Sequence, residues 1–432
     1  MTKKAKPVIS CGLDEPYAVA VRWVIGLSLV FVPLFCSPTA HDAFRYPKTL
    51  LFRAAAIMIV AILATAAIWG RVRWRELVRD RAIAILPIAI VLWTAITTLL
   101  STNRPLSIRS FEYTVEAVIF FFGAWIAVSG RRVGQVLMPP MIAGVINALL
   151  AISQAADWWN PFPFASDTEV RLRISAFLGN PNDTGNYLML LAVLATAAGK
   201  VEKKARWWIL TAVLLAGLIA SQSRGAVLSY IAGLLVITFI ASRRAGFIVI
   251  GSAILATLIA FIVLPPLRAR AAFTARAITA GDWATATSHR NYPFTVAWKM
   301  FEERPLTGLG PGTFKYHFLD YRMKLNEEHP EWIYQPVQNY AEAHSDHLQV
   351  LAEEGVPGWL LLMAAIGLLV SATTRHWHVH HDERETFVHY AGASFGVAFV
   401  TIALSSFPLE MVAVMQIATY AAALILNWSA RT

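Results

Sequence analysis

Residues 205–241 read ARWWILTAVLLAGLIASQSRGAVLSYIAGLLVITFIA, two apolar runs joined by one short polar turn at Ser221–Arg224. Neither run carries a charge beyond its ends, and each approaches the length a helix needs to cross a bilayer. Working outward, similar runs recur at 17–37, 50–69, 83–101, 111–129, 135–155, 184–199, 207–221, 225–241, 246–264, 357–374, 388–405 and 411–428. They are continuous and rich in Leu, Ala and Ile, without the ten-residue alternation of a barrel strand, so helices are expected. The expected fold is all-α, a polytopic membrane protein with about 12 transmembrane helices.

Composition agrees. The 432 residues are 57% hydrophobic and 15% charged, with a mean hydropathy of +0.53. A soluble domain carries nearer a quarter charged residues. The net charge of +10 does not point to nucleic acid, because the basic residues sit in short loops between apolar runs and act there as topology signals. Cys11 and Cys36 fall on opposite sides of the first expected helix, which argues against a disulfide or a metal cluster. Lys3, Lys4 and Lys6 precede the first run and Arg22 lies within it, the pattern of an uncleaved anchor.

Basic residues concentrate in alternate loops. One set holds Arg71, Arg73, Arg75, Arg79 and Arg81, then Arg131 and Arg132, then Lys200, Lys203, Lys204 and Arg206, then Arg243 and Arg244. The intervening loops hold little beyond Arg45, Lys48, Arg104 and Arg109. The positive-inside rule therefore places both termini in the cytoplasm. The loops at 156–183 and 265–356 and the Ser221–Arg224 turn then emerge on the outer, periplasmic side. The expected organisation is spans 1–9 in residues 1–264, a large helical loop over 265–356, and spans 10–12 in residues 357–432. A connection as long as 265–356 is usually functional or separately folded. Helices are expected in it around Tyr292–Glu303 and His344–Glu353, with a Gly/Pro turn at Gly308–Gly312.

Candidate chemistry gathers on that outer side. Arg224 stands at a membrane boundary, where a guanidinium either snorkels to headgroups or meets an anion, and its forked donors suit phosphate. Arg173 and Arg290 read the same way, and three arginines beside one face suggest a pyrophosphate site. His344 has a side chain whose unperturbed pKa lies near neutrality, which suits a general base on a sugar hydroxyl, or a structural role. His347 follows one turn on, with no third metal ligand evident. Glu112 and Glu116, one turn apart, either orient a sugar or an arginine or salt-bridge within the bundle. The histidines at 376, 378, 380 and 381 fall in an expected cytoplasmic loop and read as solvated. GLGPG at 308–312 has no preceding strand and is a turn rather than a nucleotide fingerprint. Few ionisable residues are expected near mid-membrane, where Asn147 and Asn186 are the polar candidates, so a transporter or flippase is the less favoured class.

In order along the chain come GNPND at 179–183, SRGA at 223–226, PLTGLGPGTF at 305–314 and HSDHLQVLAEEGVPG at 344–358. This combination resembles the O-antigen ligase and polymerase superfamily over roughly 165–360. The family pattern has Asn after the histidine, where this chain has Ser345. The resemblance implies a GT-C-type glycosyltransferase that passes a glycan from undecaprenyl pyrophosphate to an acceptor at the periplasmic face, with no cofactor and no metal. It implies lipid A–core oligosaccharide as a ligase's acceptor, with membrane lipids around it in the bacterial inner membrane. O-antigen polymerase and protein O-oligosaccharyltransferase are alternatives within the superfamily. Carried over, Arg224 and Arg290 would hold the pyrophosphate, with Arg173 a third partner. His344 would activate the acceptor hydroxyl or stabilise the reacting centre. Asn180, Asn182, Glu112, Glu116 and His347 would support them.

Overall fold

The computed structural model describes residues 12–74, 81–162, 174–252, 265–287, 290–330, 339–375 and 382–430. Arg173, the histidine tract at 376–381 and most of the expected ninth span at 246–264 lie outside these residues.

Apart from one isolated bridge between Leu13 and Val72, the described residues hold no β structure. The helices are α1 (Glu15–Phe31), α2 (Arg45–Ile68), α3 (Arg81–Leu99), α4 (Arg104–Val128) and α5 (Val133–Ala155). Then follow α6 (Pro181–Glu202), α7 (Ala205–Ala220), α8 (Arg224–Ala241), α9 (Pro265–Thr279) and α10 (Trp283–Ala286). Last come α11 (Asn291–Glu303), α12 (Phe314–Glu328), α13 (Asp346–Arg375), α14 (Glu383–Ala403) and α15 (Val412–Ser429). Among the described residues nine helices are long and apolar enough to cross a membrane: α1, α2, α4, α5, α6, α8, α13, α14 and α15. The apolar helices α3 and α7 are shorter. The secondary structure of the described residues is helical apart from that bridge, with the spans of a multi-pass membrane protein.

Several helices begin earlier than the apolar runs do. The runs start at 50, 111 and 357, whereas the helices start at Arg45, Arg104 and Asp346. The additional turns carry polar residues whose groups are satisfied by neighbouring loops, a condition that hydropathy does not register.

The bundle is organised around α6. No residue from Tyr187 to Ala198 is more than 2% exposed. A helix that is apolar on every face is buried on every face, and α6 is enclosed by α5, α7, α8, α14 and α15. Its alanines let these neighbours approach closely. The start of α6 is fixed by Asn180, whose side chain accepts from the Asn182 N–H at 2.8 Å, with Pro181 at the first helical position. Asn186 donates to Ser406 Oγ at 2.8 Å, and Asn147 accepts from the Phe177 N–H at 3.1 Å. These two asparagines pin loops at one end of the bundle.

At that same end, α11 and α12 share a second small core. Tyr292, Val296, Met300, Phe314, Phe318 and Leu325 pack with Ala343 and Ala352. Helix α12 was not anticipated, because FKYHFLDYRMKLNEE is too polar to show an apolar run.

Helix α13 is broken at Gly355, with φ 70° and ψ −170°. The 305–312 turn locks into this break. Val356 N–H donates to Pro305 O, Leu309 N–H to Ala352 O and Gly310 N–H to Glu353 O, each at 2.9 Å. Glu353 closes the joint by accepting from the N–H groups of Gly312 at 2.7 Å and Phe314 at 2.9 Å, the latter in the first turn of α12. The two sequence motifs at 305–314 and 344–358 thus form one interlocked unit. A Cβ on Gly355 would lie 2.4 Å from the carbonyl carbon of Leu306, on a backbone that L side chains rarely adopt. Gly355→Ala is expected to cost about 3 kcal/mol, seen as a clearly lower thermal midpoint in detergent; an unchanged midpoint would contradict this account of the joint.

Candidate functional site

His344 ends the segment leading into α13. Its backbone is left-handed, with φ +56°, a conformation His adopts more readily than most residues but at a cost of about 1 kcal/mol. The ring is partly buried and wedged edge-on between Tyr340, at 5.5 Å between centroids, and Phe407, at 5.1 Å. The backbone here is fixed from several sides. Ser345 Oγ donates to Ala403 O at 3.2 Å, Asp346 N–H to Ser406 O at 3.1 Å, and Ala343 N–H to Gln349 Oε1 at 2.9 Å. A strained residue this firmly held is what a functional position looks like.

Its electrostatics are unusual. Burial, then the positive charges of Arg290 and Arg45, lower the His344 pKa from 6.5 to about 4. The imidazole is therefore neutral at physiological pH, with a lone pair able to take a proton. Arg290 is the capping residue just before α11, and it also acts on Tyr340. Arg45 starts α2, pairs with Glu342 at 2.5 Å and stacks over the Phe407 ring at 5.9 Å. Asp183 in the first turn of α6 lies within electrostatic reach of Arg45 and Lys48. Lys48 Nζ donates to the carbonyls of Phe35, Phe44 and Phe177 at 2.7, 2.9 and 2.7 Å, so its charge serves the loops.

The remaining sequence candidates divide. Arg290 and His344 are brought together. Arg224 opens α8 and is exposed; its neighbour Gly225 packs against Ser405, in the loop that also carries Phe407. The turn before Arg224 presses on α6, with Ser223 against Gly185. Arg224 thus shares the end of the bundle that holds His344. Asn180 caps α6, and Asn182 follows in its first turn. Glu112 and Glu116 are both ion-paired with Arg53 of α2, Glu112 at 3.0 Å. His347 accepts at Nδ1 from Trp359 Nε1 at 3.2 Å and faces the body of α13. Among the described residues no three His, Cys, Asp or Glu side chains come together as a cation site.

Sequence reading missed Arg45, Tyr340 and Phe407. Arg45 was legible in part, as one of the few basic residues in the basic-poor loops. The aromatic rings gave no signal, because their position around His344 depends on long-range folding.

A cavity of about 1210 Å³ opens beside this cluster. It runs down the bundle between α2, α3, α4, α13 and α15, and Val412, Met415, Thr419, Ala422 and Leu426 mark its course along α15. That stripe extends about 20 Å at 1.5 Å per residue. Its wall is largely apolar, while its upper end carries Arg53, Arg109, Lys315, Glu112, Asp346 and Glu410 among others. His344, Arg290 and Arg224 do not line it, whereas Asp346 and Gln349, just beyond His344, do.

Residues 209–363 match the family model described as O-antigen ligase. This stretch is similar to the O-antigen ligase family. It spans a little over a third of the chain and contains Arg224, Arg290, His344 and His347. Both interlocked motifs fall wholly within it, so what the family match shares with this structure includes the joint that positions His344. Arg45, Tyr113 and Glu410 fall outside the match. No curated protein matches the chain. The O-antigen ligase likeness covers this stretch, and the apolar helices around it are those of a multi-pass membrane protein.

Proposed function

We propose that this protein transfers O-antigen glycan from undecaprenyl pyrophosphate to lipid A–core oligosaccharide, completing lipopolysaccharide at the periplasmic face of the inner membrane. The observation that carries the reading is the neutral, strained His344 beside Arg290 and Arg45, within the O-antigen ligase segment. Further support comes from the apolar cavity, whose length suits the chain of a lipid-borne substrate. The reading takes the twelve-span, GT-C-type arrangement with both termini cytoplasmic and residues 265–356 as the outer helical loop.

In this mechanism Arg224 and Arg290 hold the pyrophosphate, with Arg173 as a third partner, and neutralise the charge that grows as the leaving group departs. The acceptor hydroxyl oxygen attacks the anomeric carbon, the bond from that carbon to the pyrophosphate oxygen breaks, and the hydroxyl proton passes to His344 Nδ1 or Nε2. A single displacement inverts the anomeric configuration. Fixed guanidinium groups supply the charge neutralisation, so no metal or nucleotide is required.

The test is reconstitution of the purified protein with carrier-linked glycan and lipid A–core oligosaccharide, in EDTA and without nucleotide. A slower-migrating lipopolysaccharide band is expected. Glycan lengthening on the carrier instead would identify a polymerase, and glycosylated protein a protein O-oligosaccharyltransferase. Lipid translocation without transfer would identify a flippase.

The pH dependence has a defined sign. The active form of His344 is neutral, so activity falls as acid protonates it. For the free enzyme, kcat/KM is expected to stay level from about pH 8 to about pH 6 and to fall only towards the lowered pKa of about 4. Bound pyrophosphate favours the charged imidazole, so the acid limb of kcat should lie at higher pH than that of kcat/KM. A kcat/KM limb centred on the ordinary histidine value of 6.5 would remove the buried, arginine-flanked His344 from the reaction.

A further inference from the structure

The upper end of the cavity holds a set of polar groups that the transfer mechanism leaves unused. Asp346 and Gln349 line it and are 2% and 4% exposed. Glu410 also lines it, open to the cavity. Tyr113 lines it from α4, with its hydroxyl buried, lacking any hydrogen-bond partner and within electrostatic reach of Glu410, Glu116 and Asp346. A buried hydroxyl without a partner costs about 1–3 kcal/mol, so it marks a place where something else completes the bond. The rest of the set is rigidly held. Gln349 Nε2 donates to Glu410 Oε1 at 3.0 Å while its carbonyl accepts from Ala343 N–H at 2.9 Å. Leu409 N–H donates to Asp346 Oδ2 at 3.1 Å. Gln349 therefore ties Glu410 to the residue immediately before His344.

The chemistry of this end selects its ligand. Five carboxyl side chains line the cavity, Glu112, Asp346, Glu353, Glu354 and Glu410, beside the three cations Arg53, Arg109 and Lys315. Arg53 is already engaged by Glu112 and Glu116. Carboxyl groups and a phenol exchange hydrogen bonds with the hydroxyl groups of a sugar, whereas a pyrophosphate calls for free guanidinium forks. Below them the wall turns apolar over the length of α15, which suits a lipid chain. The cations that act on His344, Arg290 and Arg45, do not line the cavity, so an anionic carrier held by them and a sugar held here would occupy different places.

We propose that Tyr113, Asp346 and Glu410, braced by Gln349, form a saccharide subsite for the acceptor, binding hydroxyl groups of its sugar while its lipid anchor lies in the cavity. This rests on the glycosyl-transfer reading above and assigns the acceptor's side of that reaction. The sugar reaches His344 past the end of α13, and the carrier glycan meets it from the arginine side.

Tyr113→Phe is the sharpest test, since it removes a hydroxyl that makes no bond within the protein and should leave the fold intact. Glu410→Gln is the second, because its amide oxygen can still accept from Gln349. In the reconstituted protein each variant is expected to raise the KM for lipid A–core oligosaccharide about tenfold. The KM for carrier-linked glycan should stay within about twofold. Equal rises for both substrates, or no change in either, overturn the subsite. A parallel binding measurement, lipid A–core oligosaccharide added to the protein in nanodiscs without donor, separates the two claims. Weaker binding by Tyr113→Phe upholds the subsite even where the wild-type protein transfers nothing, in which case the transfer reading alone fails. Equal binding by wild type and both variants overturns the subsite whatever the transfer assay gives.

Discussion

His344→Ala is expected to abolish glycan transfer while the protein still accumulates in the membrane. Loss of a positioned general base typically removes 10²–10⁴-fold in rate, and here the same residue also fills the space between Tyr340 and Phe407. Alanine is poorly suited to φ +56°, so part of any loss could be structural. His344→Asn separates the two, because Asn tolerates the left-handed region and retains a polar side chain without a base of useful pKa. Both variants should fail in transfer, and His344→Asn should match the wild type in membrane abundance and thermal midpoint. Normal lipopolysaccharide ladders from either variant would remove His344 from the chemistry.

Arg290→Ala should produce the next largest effect, by two routes at once. In the proposed mechanism it withdraws a cation from the leaving pyrophosphate, which in comparable electrostatic sites costs about 10²–10³-fold in kcat, and it should raise the KM for the carrier-linked donor. It also withdraws one of the two positive charges that, after burial, depress His344. The histidine should then titrate at higher pH, moving the acid limb of kcat/KM upward. A purely structural arginine would lower abundance without displacing that limb. Arg290→Lys should recover only part of the rate, because an ammonium cannot reproduce the forked geometry of a guanidinium on phosphate. An unchanged donor KM together with an unchanged pH profile would detach Arg290 from the site.

The helical, membrane-spanning character was legible in residues 205–241 and their repeats, because hydropathy reports the solvent a helix faces. That Arg290 and His344 belong together was expected from the family resemblance; the structure puts Arg290 within electrostatic reach of His344 and adds a broken α13 gripped by the 305–312 turn. Glu353 shows the limit of such reading. It sits in the AEEG sequence as one of two adjacent glutamates, and only the folded joint shows it accepting from Gly312 and Phe314. Arg45 was read as a topology signal, yet it stands over Phe407 and acts on His344 from some 300 residues away in sequence. Glu112 and Glu116 were open between sugar and salt bridge, and Arg53 occupies both. Contacts of this kind depend on which helices become neighbours, which the spacing of residues along one helix does not encode.

The complete enclosure of α6 has a mechanical consequence. With Tyr187–Ala198 sealed on every side, that helix behaves as a fixed post, and the residues at its end, Asp183 and Asn186 beside Arg45 and Ser406, inherit its stiffness. Interiors packed this way do not deform gradually. Any breathing needed to admit a bulky lipid must fall on the opposite flank, where α3, α4 and α13 border an open cavity instead of a filled core. Substitutions that tune which lipids enter should therefore cluster on that flank, and the reacting centre, moored to the post, should hold its geometry while they accumulate.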